Sequence, residues 1–312
     1  MSMQKPDFLI IGAPRCGTTY LARNLASHPE VFLTSGDNED IAGDVHFFDV
    51  NTDQGRRNAA KGADWYFALF SGAGSAKAVG EKTADYLVDP DAPSLIANTL
   101  DHPRIIVIIR DPVERAWSHF LHSRHRLPSQ LNFTDIVTQG ADPGGIPILT
   151  AGLYARQIQP YVNHFGADNI LVLVKEDLDR TPGTELVRAC SFLGINAEYN
   201  FPHIETYVNA GSASRLATIT ARVGRVLKNR FPRLYKTLVR GPLYRPMTCI
   251  IRPLRGKTDQ RHTESSKSAK APLDTKTRHY LRQYYSSDVH QMSQHMGRNL
   301  AHLWWKDDPE NV

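Results

Sequence analysis

The chain has 312 residues, 41% of them hydrophobic and 22% charged, with a formal net charge of +5. That length and balance suit one large α/β domain with a helical addition and exclude an intrinsically disordered chain. No apolar run approaches the roughly 20 residues needed to cross a bilayer, the first strand begins too near Met1 for a signal peptide, and Cys16, Cys190 and Cys249 are too widely spaced for a disulfide framework. A reducing, cytoplasmic location is expected.

In chain order, Phe8-Leu9-Ile10-Ile11 reads as an apolar strand running into Gly12-Ala13-Pro14-Arg15-Cys16-Gly17-Thr18-Thr19 and then a helix. A strand, a glycine-bounded loop and a helix start make a phosphate cradle, because backbone N–H groups and the positive end of the helix dipole face the same anion. The loop almost spells a P-loop, yet Thr18 stands where a nucleotide triphosphatase has its lysine. A P-loop kinase using ATP and Mg²⁺ is therefore the weaker of two expectations. Arg15 adds a full charge beside the cradle, and Thr18 and Thr19 add hydroxyl donors. Cys16 is either a thiol whose pKa the helix start lowers or a small residue that fits. Leu21 and Leu25, four apart, pin the helix to the sheet and Pro29 marks its stop. The same letters also serve an ordinary strand-turn-helix connection in which Gly17 merely caps.

Ile105 to Ile109 is wholly apolar, as a parallel strand buried on both faces requires, and Arg110 follows at its carboxyl end. Asp111-Pro112 starts a helix, with Asp as N-cap and Pro in the first turn, and Ala116, Trp117, Phe120 and Leu121 form its packing side. Ligands of open α/β sheets bind beyond the carboxyl ends of strands, which places Arg110, with Ser118 two turns on, at a second anion site. The competing reading pairs Arg110 with Asp111 or Glu114. Residues 211–270 hold 10 Arg and 5 Lys against Asp259 and Glu264, while the remaining chain is acidic overall. Basic residues from Arg222 to Arg240 alternate with Val223, Val226, Leu227, Phe231, Leu234 and Leu238, as in amphipathic helices broken at Pro232 and Pro242. Such a segment can dock on an anionic polysaccharide, a lipid surface or nucleic acid, or is simply a solvated face. Leu281, Tyr285, Val289, Met292 and Met296 recur at helical spacing and form a packing stripe.

Two anion sites on neighbouring strand ends suit a ligand with two separated phosphate groups. Here the chain resembles the sulfotransferases that use 3′-phosphoadenosine 5′-phosphosulfate (PAPS), above all the sulfotransferase domain of heparan sulfate modifying enzymes and its bacterial relatives. The likeness runs in order through Val45-His46-Phe47-Phe48, Lys61-Gly62-Ala63-Asp64-Trp65-Tyr66, Gly80-Glu81-Lys82-Thr83-Ala84-Asp85-Tyr86, Gly152-Leu153-Tyr154 and Ile170-Leu171-Val172-Leu173. It resumes at Leu281-Arg282-Gln283-Tyr284-Tyr285 and Leu303-Trp304, and covers most of 7–208 and 272–305.

The resemblance implies that Pro14 to Thr19 hold the 5′-phosphosulfate and that Arg110 with Ser118 holds the 3′-phosphate. It implies that Asp44 stands at the family's general base, usually Glu, and that Lys82 lies near the transferred sulfuryl group. It further implies that Lys267 or Lys270, in a small polar loop, closes over the 3′-phosphate, where the plainer reading is a linker. His46 rivals Asp44 as base because its unperturbed pKa lies near neutrality; its plainer reading is a packed imidazole beside Phe47 and Phe48. The plainer reading of Lys82 is a surface ion pair with Glu81 or Asp85. Two departures stand out: Arg15 replaces the family's lysine, a planar fork for a compact ammonium, and Asp44 is one bond shorter than Glu.

These readings converge on a P-loop-like three-layer α/β fold with a central, mainly parallel sheet, helices on both faces and a basic helical insertion. One domain spans 1–312, with a core at 7–208 and 271–305 and the insertion at about 211–262. The expected reaction is metal-free in-line transfer of a sulfuryl group from PAPS to a hydroxyl or amine. Asp44 or His46 takes the proton while Arg15 and Lys82 support the leaving phosphate. A sulfuryl group carries less negative charge than a phosphoryl group, so no metal clamp is expected. The acceptor is expected to be a small molecule or glycan, a carbohydrate or glycolipid. The expected surface partner, through 211–262, is an anionic membrane at the inner face, and no nucleic acid is expected. A protein that binds polyanions or membranes without catalysis is the remaining alternative.

Overall fold

The computed structural model describes residues 4–35, 43–202, 204 and 273–306. The basic segment 211–262, Lys267 and Lys270 lie outside the described residues. Five strands form the sheet: β1 (Phe8–Gly12), β2 (Val31–Thr34), β3 (Ala78–Lys82), β4 (Arg104–Ile109) and β5 (Ile170–Val174). Around them lie α1 (Thr18–Ser27), α2 (Asp53–Ala59), α3 (Gly62–Ala68), α4 (Ala92–Thr99), α5 (Pro112–Ser123) and α6 (Phe133–Gln139). They are followed by α7 (Tyr154–Phe165), α8 (Lys175–Arg180), α9 (Pro182–Leu193), α10 (Thr275–Met296) and α11 (Leu300–Trp305).

The strand order is β2-β3-β1-β4-β5 and every pairing is parallel. Every residue of β1 and of β3 is buried. Successive side chains of a strand point to opposite faces, so both faces of the sheet centre are covered. From β1 the chain crosses to the β2 edge and returns through β3, whereas β4 lies on the other side of β1. The crevice between the carboxyl ends of β1 and β4 is therefore the topological switch point, where sheets of this type bind ligands.

Local chemistry accounts for the elements that frame this crevice. Leu21 and Leu25 of α1 are fully buried against the sheet, as their spacing predicts. The Asp111 carboxylate accepts a hydrogen bond from the Val113 amide at 2.9 Å, and Pro112 fills the first position of α5. Gly12 ends β1 where nothing larger fits: a Cβ there meets Leu87 Cβ at 2.5 Å and the Ala84 carbonyl oxygen at 3.2 Å. Overpacking of this kind costs about 1–3 kcal/mol. Gly12→Ala is thus expected to lower the melting temperature measurably in a thermal scan. Melting at the wild-type temperature would show that Leu87 yields.

The packing stripe of α10 is present. Leu281, Tyr285, Val289 and Met292 are buried, while Met296 is only half-buried. The stripe also carries a polar duty that its spacing does not show. Buried Asp288 accepts the first-turn amides of α7, Ala155 and Arg156, each at 3.1 Å.

Candidate active site at the switch point

The loop from Gly12 to Gly17 is held from β4, with the Ala13 amide donating to the Ile108 carbonyl at 2.8 Å. Gly17 caps α1 in a left-handed conformation (φ 97°) and offers no side-chain cap, which leaves the positive helix end open to an anion. Arg15 also has positive φ, at 71°. Its Nε donates to Ser118 Oγ on α5 at 3.4 Å, joining two positions 103 residues apart. Arg110 stands beside them, and burial followed by the Arg110 charge pulls the Arg15 pKa down.

The sequence assigned the loop after β1 and the Arg110–Ser118 pair to separate anion sites, and in the structure Arg15 joins these positions through its contact with Ser118. A planar guanidinium on a long stem spans the gap. The reading of Arg110 as a partner of Asp111 or Glu114 is not what the structure shows. Asp111 caps its own helix, Glu114 pairs with Arg278 at 2.7 Å, and Arg110 has no ion pair among the described residues. Tyr154, from the Gly152-Leu153-Tyr154 match, ties the two loops together. Its hydroxyl donates to the Arg110 carbonyl at 2.9 Å and lies 3.7 Å from Cys16 Sγ.

Of the two readings of Cys16, the structure bears out the small fitted residue. Cys16 is fully buried, and burial pushes the thiol up to about 11, so the reactive thiolate does not form near neutral pH.

Sequence reasoning missed Arg115, one turn into α5. It is 0% exposed, yet among the described residues no carboxylate pairs with it and its Nε lacks a hydrogen-bond partner. Nη1 donates to His119 Nδ1 at 3.1 Å and Nη2 to the Ile148 carbonyl. Burial, then Arg115 and Arg15, pull the His119 pKa down to about 3, so that imidazole is neutral. A buried arginine without a counterion is costly unless an anion completes it. Arg15, Arg110 and Arg115 bring three positive charges close enough that, after burial, the charges of Arg110 and Arg115 both pull the Arg15 pKa down, a local concentration of positive charge that favours an anion. Its only sequence signal was the position of Arg115 on the same helix face as Ser118 and His119.

On the far side of β1, the end of β3 builds a second cluster. Lys82 Nζ donates to Asp44 Oδ2 at 2.9 Å, and the Ala84 amide donates to Asp44 Oδ1 at 2.9 Å. Lys82 is 2% exposed, so it is not a surface partner of Glu81 or Asp85. The strand directs Glu81 and Lys82 to opposite faces, and the loop carrying Asp44 lies over Lys82. His46 is half-buried with φ 54°, and its Nδ1 lies 2.6 Å from Asp49 Oδ2. Its restraint is thus Asp49, beyond any packing on Phe47 and Phe48. That carboxylate assigns the proton to Nδ1 and leaves Nε2 as the acceptor in the neutral ring.

The His46 pKa is raised overall: burial, the largest influence, opposes the shift, while Asp49, Asp44 and Asp85 outweigh it. Burial pushes Asp85 up to about 6, with the His46 charge opposing. His46, Asp49 and Asp85 bring one donor atom each to within 4.8 Å of one another. Asp49 was not singled out from the sequence, although it directly follows the His-Phe-Phe run, and Asp85 was named only as a surface partner of Lys82. A cleft of about 570 Å³ between α7 and α10 contains none of the residues of either cluster.

The all-parallel sheet order and the strand–loop–helix connection at the switch point define an α/β protein of the P-loop-like class, with Thr18 where a nucleotide triphosphatase has its lysine. Comparison with known proteins narrows the class. Residues 5–210 match the sulfotransferase domain model, and the chain belongs to that family. It is 30% identical over 213 residues to mouse bifunctional heparan sulfate N-deacetylase/N-sulfotransferase 3, covering 65% of this chain and 24% of the relative. It is 31% identical over 198 residues to mouse heparan sulfate glucosamine 3-O-sulfotransferase 3B1, covering 62% of this chain and 47% of the relative. The matched region therefore spans between about a quarter and half of these relatives. A sulfotransferase structure from Alicyclobacillus acidocaldarius shares the fold, with a TM-score of 0.65 at 21% identity over 96% of this chain and 99% of that one.

Proposed function

We propose that the protein transfers a sulfuryl group from PAPS to a hydroxyl or amine of a carbohydrate or glycolipid. The observation that carries this reading is the cluster of Arg15, Arg110 and Arg115 near Ser118, for which the described residues offer no ion-paired carboxylate, beside a loop with Thr18 in place of the triphosphatase lysine. Arg110 and Ser118 hold the 3′-phosphate, and the Pro14 to Thr19 loop with the start of α1 holds the 5′-phosphosulfate.

When bound, PAPS supplies the sulfuryl group: the acceptor oxygen or nitrogen bonds to sulfur, and the sulfur–oxygen bond to phosphate breaks with its electron pair leaving on 3′,5′-adenosine bisphosphate. Asp44 takes the acceptor's proton. Lys82, held against Asp44, fixes the carboxylate, and with Arg15 it opposes the charge growing on the leaving phosphate. A second reading gives the proton to His46 Nε2, favoured by the 2.6 Å contact that lets Asp49 orient the ring. The net positive charge of 211–262 and the three widely spaced cysteines support a cytoplasmic protein that meets an anionic membrane surface.

The donor reading is tested by thermal shift, with the bisphosphate in EDTA and ATP with Mg²⁺ in a parallel buffer free of EDTA. The bisphosphate is expected to raise the melting temperature without added metal, whereas ATP with Mg²⁺ leaves it unchanged. Stabilisation by ATP–Mg²⁺ alone would replace this reading with the kinase. Loss of the bisphosphate effect in EDTA, with recovery on adding a divalent ion, would overturn the metal-free reading. The acceptor class is tested by incubating the protein with radiolabelled PAPS and a pool of glycans and glycolipids, and asking which fraction acquires label.

A further inference from the structure

Beneath the Asp44 loop lies a buried hydrogen-bonded hub that the proposed chemistry does not itself use. Glu81 of β3 is 0% exposed. Its Oε1 accepts from Tyr66 Oη at 2.9 Å and Tyr86 Oη at 2.8 Å, and its Oε2 accepts from Thr83 Oγ1 at 2.9 Å. While Glu81 is ionised its carboxylate offers only lone pairs, so each hydroxyl then directs its single proton at Glu81. The hydroxyl lone pairs then face outward. Thr83 Oγ1 accepts the amides of Val45 at 2.9 Å and His46 at 3.0 Å, and Tyr86 Oη accepts the amide of Phe47 at 2.9 Å.

Three consecutive amides of one loop thus hang on two hydroxyls whose polarity one buried carboxylate sets. The central residue of the three, His46, has φ 54°, a conformation that costs a non-glycine residue about 1–3 kcal/mol and persists only where surrounding contacts fix it. Asn58 Nδ2 adds a bond to the Val45 carbonyl at 2.8 Å. Isolated in the fold, Glu81 is an expensive group: burial pushes it up to about 7 although all three hydroxyls pull it down.

We propose that Glu81 is a positioning residue of the transfer reaction, holding Asp44 and His46 in place through Thr83 and Tyr86 without touching either side chain. The kinetic part of this inference rests on the sulfotransferase reading above. Glu81 and Lys82 divide the work of β3 between its faces: Lys82 meets Asp44 directly, and Glu81 sets the loop that carries it. A shift of about 1 Å in such a loop costs catalysis up to about 10²-fold.

The test uses the full chain with Thr83→Val, which keeps the side-chain shape and removes the hydroxyl, and Thr83→Ser, which restores it. Transfer of label from PAPS to completely desulfated heparan sulfate gives kcat and KM. Calorimetry gives the affinity for 3′,5′-adenosine bisphosphate. The His46 imidazole is titrated by NMR, a readout that needs no acceptor. Asp49 and Asp85 face that ring with Asp44, and Thr83→Val changes no charge, so its titration moves only if the geometry moves.

Thr83→Val is expected to lower kcat by about tenfold or more, with the KM for PAPS and the bisphosphate affinity within about twofold of wild type. Its His46 midpoint is expected to shift by about half a pH unit or more. Thr83→Ser is expected to recover both. Wild-type kcat in folded Thr83→Val overturns the proposal, as does a bisphosphate affinity that falls in parallel with kcat. If Thr83→Val does not fold, Tyr86→Phe, which frees the Phe47 amide, is judged by the same criteria. Should the wild-type protein transfer no label and bind no bisphosphate, the sulfotransferase reading fails. The His46 titration then still decides whether the hub sets the loop, an unchanged midpoint overturning it.

Discussion

Asp44→Asn is expected to lower kcat by about 10²–10⁴-fold, the range that a positioned proton acceptor contributes. The bisphosphate affinity should stay within about twofold of wild type, because Asp44 lies with β3 and not in the arginine cluster. Asparagine keeps the shape but replaces one of the two acceptor oxygens by an N–H donor facing either Lys82 Nζ or the Ala84 amide, so the melting temperature is expected to fall, and kcat and affinity are read below the lowered transition.

Wild-type turnover in this variant would pass the proton to His46, and the pH profile then gives an independent check. Only the neutral imidazole accepts a proton, and the carboxylates around His46 raise its pKa above 6.5. With His46 as base, kcat/KM therefore rises with pH through a midpoint above 6.5 and falls away below it. Asp49→Asn would move that midpoint down, since it removes the ring's hydrogen-bonded carboxylate.

Arg110→Ala is expected to weaken 3′,5′-adenosine bisphosphate by roughly 10–150-fold, the equivalent of one charge-assisted hydrogen bond of about 1.5–3 kcal/mol. Calorimetry at fixed ionic strength measures it, and affinity equal to wild type would remove Arg110 from the ligand. Unfolding is not the explanation a loss would invite. Arg110 raises the cost of keeping Arg15 charged, so its removal relieves repulsion in the unliganded cluster and should leave the melting temperature equal or slightly higher. Arg15→Ala is a contrasting case, because it also breaks the contact with Ser118 that joins the two loops.

The sequence by itself determined the units that local rules write. An apolar strand, a glycine-bounded loop and a helix start gave β1 and α1, and Asp111-Pro112 after an apolar run gave β4 and the cap of α5. These depend on side-chain period, backbone freedom and N-cap chemistry within a dozen residues. β3 was not legible as a strand because Gly80, Glu81 and Lys82 are buried polar or side-chain-free positions in an otherwise apolar interior. The placement of Asp44 was legible only through family likeness.

The tertiary structure alone decided which charges meet. Parallel pairing sets Ile10 beside Lys82 and Gly12 beside Val107, and that register brings the loop after β1 to Ser118 on the helix that follows β4. No spacing along the chain encodes such a register, which follows from how two faces of one sheet bury their side chains together. The Lys82–Asp44 contact, the amides of Val45, His46 and Phe47 on Thr83 and Tyr86, and the Arg115 bond to the Ile148 carbonyl all join elements remote in sequence. Residue type supplied the chemistry, and packing chose the partners.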